Sequence, residues 1–318
     1  MSTRIVFMGT PDFAVGSLDA LNKAGYDIVG VITVPDKPAG RGQKITYSPV
    51  KEYAMANNLP ILQPEKLRDE TFLNQLQELN ADIFVVVAFR MLPKVVWDMP
   101  CLGTFNLHAS LLPQYRGAAP INWAIINGET TTGVTTFLLN EKIDEGKILL
   151  QESIDITPTD TAETIHDQLA EIGKNLVVKT VEGLVKNTLS PKPQNEDNNA
   201  VLKAAPKIFK PDCAIDWTKK GVDIVNFVRG LSPYPAATMT LEDTERNSSL
   251  LFKIFEVSFE PDSNSQQYKL YTDQKDYLKI GISDGYIHIK VLQLSGKRKN
   301  DIKEFLRGYK VNNCILKY

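Results

Sequence analysis

Cysteine is scarce in this sequence of 318 residues: Cys101, Cys213 and Cys314 stand alone and far apart. An odd, scattered set builds neither a disulfide framework nor a Cys-x-x-Cys metal pair. Histidine is equally scarce. His108, His166 and His288 are the only three, and none lies at ligand spacing from a cysteine or another histidine, so no metal is expected. No apolar run is long enough to cross a bilayer, and the Ile5–Met8 stretch is too short for the apolar region of a secretion signal. The expectation is a cytoplasmic protein without a membrane role or an obligate protein partner. The first apolar run is not followed by Gly-x-Gly-x-x-Gly, which argues against a bound dinucleotide.

In bulk the chain is ordinary. It is 43% hydrophobic and 23% charged, values typical of a globular protein, and its length suggests two domains. The net charge of −2 hides an asymmetry: acids outnumber bases up to Ala205, and bases outnumber acids beyond it. Lys297, Arg298, Lys299, Lys303, Arg307, Lys310 and Lys317 face only Asp301 and Glu304 near the C-terminus. Such a patch suits a nucleic-acid partner; from composition alone, a solvated lysine-rich surface accounts for it more simply.

Along the chain, the apolar run Ile5–Met8 stops at Gly9-Thr10-Pro11. Phe13, Leu18 and Leu21 then recur at roughly helical spacing before a second apolar run, Ile28–Val34. Strand, turn, helix and strand open a parallel α/β sheet. Pro35–Pro49 carries two glycines and three internal or flanking prolines near its ends, and is expected to be an irregular loop. Continuous apolar strands are expected at Asp82–Ala88 and Gly103–His108, a helix at Ala118–Asn127, and strands at Gly133–Leu139 and Gly146–Ile154. A long amphipathic helix is expected over Thr161–Lys186. Thr188–Pro206 has linker composition. Beyond it, short alternating runs such as Leu278–Ile282 and Tyr286–Leu292 suggest a small antiparallel barrel. The expected division is a domain over 1–188, a linker over 189–206 and a second domain over 207–318.

Candidate chemistry centres on Asn106 and His108. In an extended strand, side chains at i and i+2 share a face. A carboxamide beside an imidazole suits a carbonyl that is polarised and attacked. The spacing alone is common and equally suits a loop-tying Asn and a buried structural His. The longer string is far more specific. Asn106-x-His108-x-Ser110-Leu111-Leu112-Pro113-x-x-Arg116-Gly117, followed by Ile143-Asp144-Glu145-Gly146, resembles the formyltransferase family that uses 10-formyltetrahydrofolate.

The resemblance covers nearly the whole chain. It implies a Rossmann-like α/β domain with a mostly parallel sheet and a C-terminal OB-like barrel. It implies formyl transfer through a tetrahedral intermediate, with Asn106, His108 and Asp144 as catalytic residues: donors at the formyl oxygen, and a carboxylate to move protons. Ser110, Leu111, Leu112 and Pro113 would line the folate site. The pterin would lie against Phe89, Arg90, Met91 and Leu92 and against Leu139 and Asn140. Many relatives carry a longer loop with Tyr-Gly where this chain has Phe89-Arg90. Gly9-Thr10-Pro11-Asp12-Phe13 and Pro38-Ala39-Gly40-Arg41-Gly42 resemble the branch acting on methionine carried by initiator tRNA. So do Ile215-Asp216-Trp217, Arg229-Gly230 and Gly296-Lys297-Arg298. That branch implies tRNA contacts by Arg41, Lys44, Lys297, Arg298 and Lys299. A formyltransferase for a sugar nucleotide or another small amine, and a tRNA-binding protein with an inactive formyltransferase domain, are the alternatives.

Overall fold

Each apolar run forms a strand in the computed structural model, which describes residues 2–39, 44–194 and 201–317. β1 (Arg4–Gly9) leads into α1 (Asp12–Lys23), which buries Phe13, Ala14, Leu18 and Leu21. Asp12 in its first turn and Lys23 in its last complement the helix dipole. β2 (Asp27–Ile32) follows, then β3 (Lys37–Ala39) and β4 (Lys44–Thr46). These last two correct the expectation of an irregular loop over Pro35–Pro49. They pair antiparallel, with Pro38 opposite Ile45; a two-stranded ribbon has only outer edges, where a missing proline N–H disrupts no further ladder. α2 (Pro49–Ala56) starts with Pro49 in its first turn and Ser48 as its cap, whose hydroxyl accepts from Lys51 N at 3.1 Å.

The succession continues through β5 (Ile61–Leu62), α3 (Glu70–Glu78), β6 (Ile83–Val87), α4 (Lys94–Trp97), β7 (Thr104–His108), the two-residue β8 (Arg116–Gly117) and α5 (Pro120–Ile126). β9 (Thr131–Leu138), β10 (Ile148–Asp155), α6 (Ala162–Val185) and the short β11 (Ala204–Ala205) complete it. The sheet order is β10-β9-β7-β6-β1-β2-β5. The pairs β6–β7, β6–β1, β1–β2 and β2–β5 are parallel, and β9 runs antiparallel to β7. Every residue of β6 is buried, as a strand covered on both faces requires.

Cα packing gathers the chain into two compact units. One is Met1–Gly117, Thr131–Ile154 and His166–Ala204; the other is Ala118–Thr130, Asp155–Ile165 and Ala205–Tyr318. The units thus interleave in sequence. Hydrogen bonds explain the two early segments of the second unit. Asn122 Nδ2 donates to the Gly230 carbonyl at 2.7 Å, and Arg229 Nη1 donates to the carbonyls of Thr157 at 3.1 Å and Asp160 at 2.9 Å. Burial lowers the Arg229 pKa.

In the second unit, α7 (Gly221–Leu231) precedes β12 (Ala237–Asp243), β13 (Ser248–Pro261), β14 (Leu270–Thr272), β15 (Leu278–Ile282) and β16 (Gly285–Leu294). β17 (Lys299–Asp301), α8 (Ile302–Gly308) and β18 (Cys314–Lys317) follow. The antiparallel order is β14-β15-β16-β13-β12-β18. The two end strands approach each other, and Gln274 Oε1 accepts from Val311 N at 3.0 Å, so the sheet is a nearly closed barrel. Its interior is Met239, Leu241, Phe252, Ile254, Ile280, Ile287 and Leu292 with their neighbours. Among the described residues no helix is long and apolar enough to cross a membrane.

Candidate active site

The carboxyl end of β7 carries the first two predicted residues. Leu107 points toward the long helix, where its methyl lies 2.8 Å from the position a Cβ would take on Gly173. Strand alternation turns Asn106 and His108 to the opposite face. Two contacts bear this out. Asn106 registers across from Phe137 on β9, and cross-strand partners share a face. The His108 ring meets the Phe137 ring edge-on, with centroids 6.4 Å apart.

His108 is buried and its Nε2 lies 2.9 Å from the Tyr115 carbonyl oxygen. A carbonyl only accepts, so Nε2 carries the proton in the neutral ring. Nδ1 faces Asp144, whose Oδ2 is 3.9 Å away. The expectation that an N–H of His108 reaches a substrate oxygen thereby narrows: the Nε2–H is engaged by Tyr115, and only a protonated ring offers an Nδ1–H. Asn106 is partly exposed, and its carboxamide makes no hydrogen bond to another described residue. Its NH2 group is thus available to a ligand.

Asp144 sits in the turn between β9 and β10 with φ of 54°, a left-handed conformation that aspartate tolerates better than most residues. Its Oδ2 accepts from Gly117 N at 3.0 Å. Gly146, two residues on, is obligatory: a Cβ there would stand 1.6 Å from the Leu138 carbonyl oxygen.

The predicted folate residues divide. The Ser110 hydroxyl is buried and donates to the Gln114 carbonyl at 2.7 Å, and Leu112 is buried as well. Both side chains are turned into the loop. Thr135 Oγ1 pins the same loop, donating to Ser110 O at 2.6 Å and accepting from Leu112 N at 3.1 Å. Leu111 and Pro113 keep partial exposure. Phe89, Leu92 and Leu139 pack against one apolar cluster, which brings the two expected pterin loops together. Met91 and Asn140 are exposed. Arg90 turns away: its guanidinium donates to the Glu65 carbonyl at 2.8 Å and to the Pro64 carbonyl, and burial lowers its pKa. Arg90 therefore ties its loop to the Pro64–Glu65 segment.

Of the predicted tRNA residues, Arg41 lies outside the described residues, and Lys44 lies in β4. Lys297, Arg298 and Lys299 are exposed at the β16–β17 turn. Arg298 pairs with Glu304, and Lys299 Nζ stands 4.4 Å from the centre of the Phe255 ring. Among the described residues no group of His, Cys, Asp and Glu could hold a metal.

Two polar clusters join side chains that no sequence spacing brings together. Lys51 Nζ reaches Asp36 Oδ2 at 2.5 Å and Gln63 Oε1 at 2.8 Å, while Gln63 Nε2 reaches Asp36 Oδ1 at 2.8 Å and the Val34 carbonyl at 2.7 Å. Lys51 thereby lowers the pKa of Asp36, with help from Gln63. This knot joins the two ends of the Pro35–Pro49 segment. The second cluster joins Arg116, Gln194 and the Asp144 turn. Arg116 and Asp144 belong to the motif strings, whereas Asp36, Lys51, Gln63 and Gln194 belong to none, and both clusters depend on residues distant in sequence.

Comparison with known proteins agrees with this geometry. The family described as formyl transferase matches residues 3–181, and the formyl transferase C-terminal domain matches residues 207–310. A methionyl-tRNA formyltransferase of Bacteroides thetaiotaomicron is 53% identical over 313 residues, covering 98% of this chain and 97% of its own. One from Flavobacterium johnsoniae is 54% identical over 305 residues, covering 96% of both chains. Among solved structures, an N-formyltransferase from Helicobacter canadensis, bound to folinic acid and dTDP-3-aminofucose, shares the fold. Its TM-score is 0.62 at 22% identity, with 94% of this chain and 100% of that one covered. With both family regions matched and about half of all residues shared with relatives of equal length, this chain belongs to the formyl transferase family, among the methionyl-tRNA formyltransferases.

Proposed function

We propose that this chain transfers the formyl group of 10-formyltetrahydrofolate to the free amino group of methionine on initiator tRNA. The observation that carries this reading is identity above one half with methionyl-tRNA formyltransferases along 98% of the chain. It favours tRNA over the small acceptors of the distant sugar enzymes.

The residues fit a folate formyl donor. Asn106 presents at the strand end an amide that no described residue engages, and the two loops proposed for the pterin share one apolar wall. Bound there, the folate supplies a formyl carbon whose oxygen gains negative charge as the amine attacks. Asn106 donates its NH2 to that oxygen, worth roughly 3 kcal/mol for one well-placed donor. Asp144 accepts a proton from the incoming amine, directly or through water, and His108, beside it at Nδ1, passes one to the departing N10 as the N10–formyl bond breaks. The tRNA is held by Arg41, Lys44 and the Lys297–Lys299 turn, with residues 1–188 as the formyltransferase domain and 207–318 as the barrel domain. The reaction takes place in the cytoplasm.

The direct test offers 10-formyltetrahydrofolate with charged initiator tRNA, charged elongator methionine tRNA and small amines. The expected result is formylation of the initiator tRNA well above the rest. Turnover of a sugar amine in preference to tRNA, or tRNA binding without turnover, would replace this reading with one of the alternatives. The tRNA contacts have their own readout. Substituting Arg41 or Lys297 by Ala raises KM for tRNA and flattens its salt dependence, by roughly one unit in the log–log slope for each phosphate contact removed. A change confined to the folate KM would reassign these residues.

A further inference from the structure

Gln194 belongs to a stretch of linker composition, yet the chain just before it is paired to a strand. Two residues earlier, Lys192 and Ile148 exchange both backbone hydrogen bonds, at 2.7 and 2.8 Å, beside the start of β10. From that anchor the Gln194 amide reaches the turn holding Asp144. Its Nε2 donates to the Asp144 carbonyl at 2.8 Å and to the Gly146 carbonyl at 2.9 Å. Its Oε1 accepts from Arg116 Nε at 3.1 Å and Nη2 at 2.9 Å. The third nitrogen of that guanidinium, Nη1, lies 3.4 Å from Glu145 Oε1.

The amide has one workable orientation. Flipped, it would set its oxygen against two carbonyl oxygens and its NH2 against a cation. The Asp144 carbonyl lies in the 144–145 peptide plane and the Gly146 carbonyl in the 146–147 plane, so one side chain fixes two peptide planes of this short turn. Asp144 is meanwhile held in a left-handed conformation, and its carboxylate is tied to Gly117 N. A residue at positive φ relaxes toward negative φ unless its surroundings hold it. Gln194 supplies that hold on the main chain. Arg116 holds Gln194 in turn, and it precedes the very glycine that donates to Asp144.

We infer that Gln194 is a positioning residue for the reaction: by clamping the carbonyls of Asp144 and Gly146, it fixes the Asp144 carboxylate against His108. The inference rests on the proposed role of Asp144.

The test is steady-state kinetics on Gln194→Ala and Gln194→Glu in the full-length chain, alone and combined with Asp144→Asn, with melting temperatures measured in parallel. Glu keeps an acceptor for Arg116 but cannot donate to the two carbonyls, so it separates the clamp from the Arg116 contact, and its near-identical shape carries the test should the Ala variant fail to fold. Both variants are expected to lower kcat roughly tenfold to a hundredfold, the scale of an ångström-sized misplacement, with KM for folate and tRNA nearly unchanged. In the Asp144→Asn background neither is expected to lower kcat further, because residues acting through one group are not additive. Wild-type kcat in Gln194→Glu, a change in KM alone, or full multiplication of the two losses would overturn the inference. If Asp144→Asn itself turned over normally, the role of Asp144 would fall, and this inference with it; an inactive Asp144→Asn beside active Gln194 variants would reject Gln194 alone.

Discussion

Asp144→Asn is expected to lower kcat by roughly a thousandfold, within the range typical of a lost general base, while KM for tRNA and the melting temperature stay close to wild type. Asn is the informative substitution because it preserves what Asp144 does for the fold. Its carbonyl oxygen can still accept from Gly117 N, which Asp144 Oδ2 now does at 3.0 Å. It also tolerates the φ of 54° found here. What Asn lacks is the negative charge beside His108 Nδ1, 3.9 Å away, and the ability to take a proton from an attacking amine. Ala would remove the hydrogen bond and strain the turn as well, mixing structural with chemical loss. Turnover within tenfold of wild type in Asp144→Asn would mean that the carboxylate serves only the turn, with proton transfer left to His108 or water.

Elements bounded by strong local signals were legible in the sequence. The apolar runs ending at Gly9, Val87 and His108 become adjacent buried strands, because a strand covered on both faces has few options but continuous hydrophobicity. The i, i+2 spacing of Asn106 and His108 puts both on one face, since strand alternation is strictly local. Features resting on long-range pairing were not legible. The β3–β4 ribbon forms in a stretch whose prolines and glycines suggest none. Gln194 lies among linker-like residues, and the pairing of Lys192 with Ile148 brings it to the Asp144 turn. Ser110 and Leu112 sit in the motif but face inward, holding the loop whose backbone and neighbours remain for a ligand. A motif fixes which residues are needed, not which of them touch the substrate. Arg90 has the same lesson in reverse: a charge at a predicted ligand loop proves to be a brace for the Pro64–Glu65 segment.

Gly146→Ala is expected to cost both stability and turnover, with the melting temperature about 5 to 10 °C lower and kcat roughly a hundredfold lower. The new methyl carbon would stand 1.6 Å from Leu138 O and 2.8 Å from Leu138 C, with the Phe137 ring at 3.2 Å. These are backbone atoms of the neighbouring strand and a fully buried ring, so no flexible side chain can swing aside. Relief requires the Asp144–Gly146 turn to move off β9. That motion breaks the Gly146 carbonyl from Gln194 and draws Asp144 away from His108. The loss therefore exceeds what a simple overpacked core position produces, because the crowded residue and the proposed proton acceptor share one short turn. Gly308→Ala is the matched control. It lies in α8, where an added Cβ meets nothing within 4 Å, and alanine is the better helix former. Its melting temperature and kcat are expected to stay at or slightly above wild type. A Gly146→Ala enzyme that melts and turns over like Gly308→Ala would show that the turn has room to shift without disturbing Asp144, and that its placement is less constrained than these contacts require.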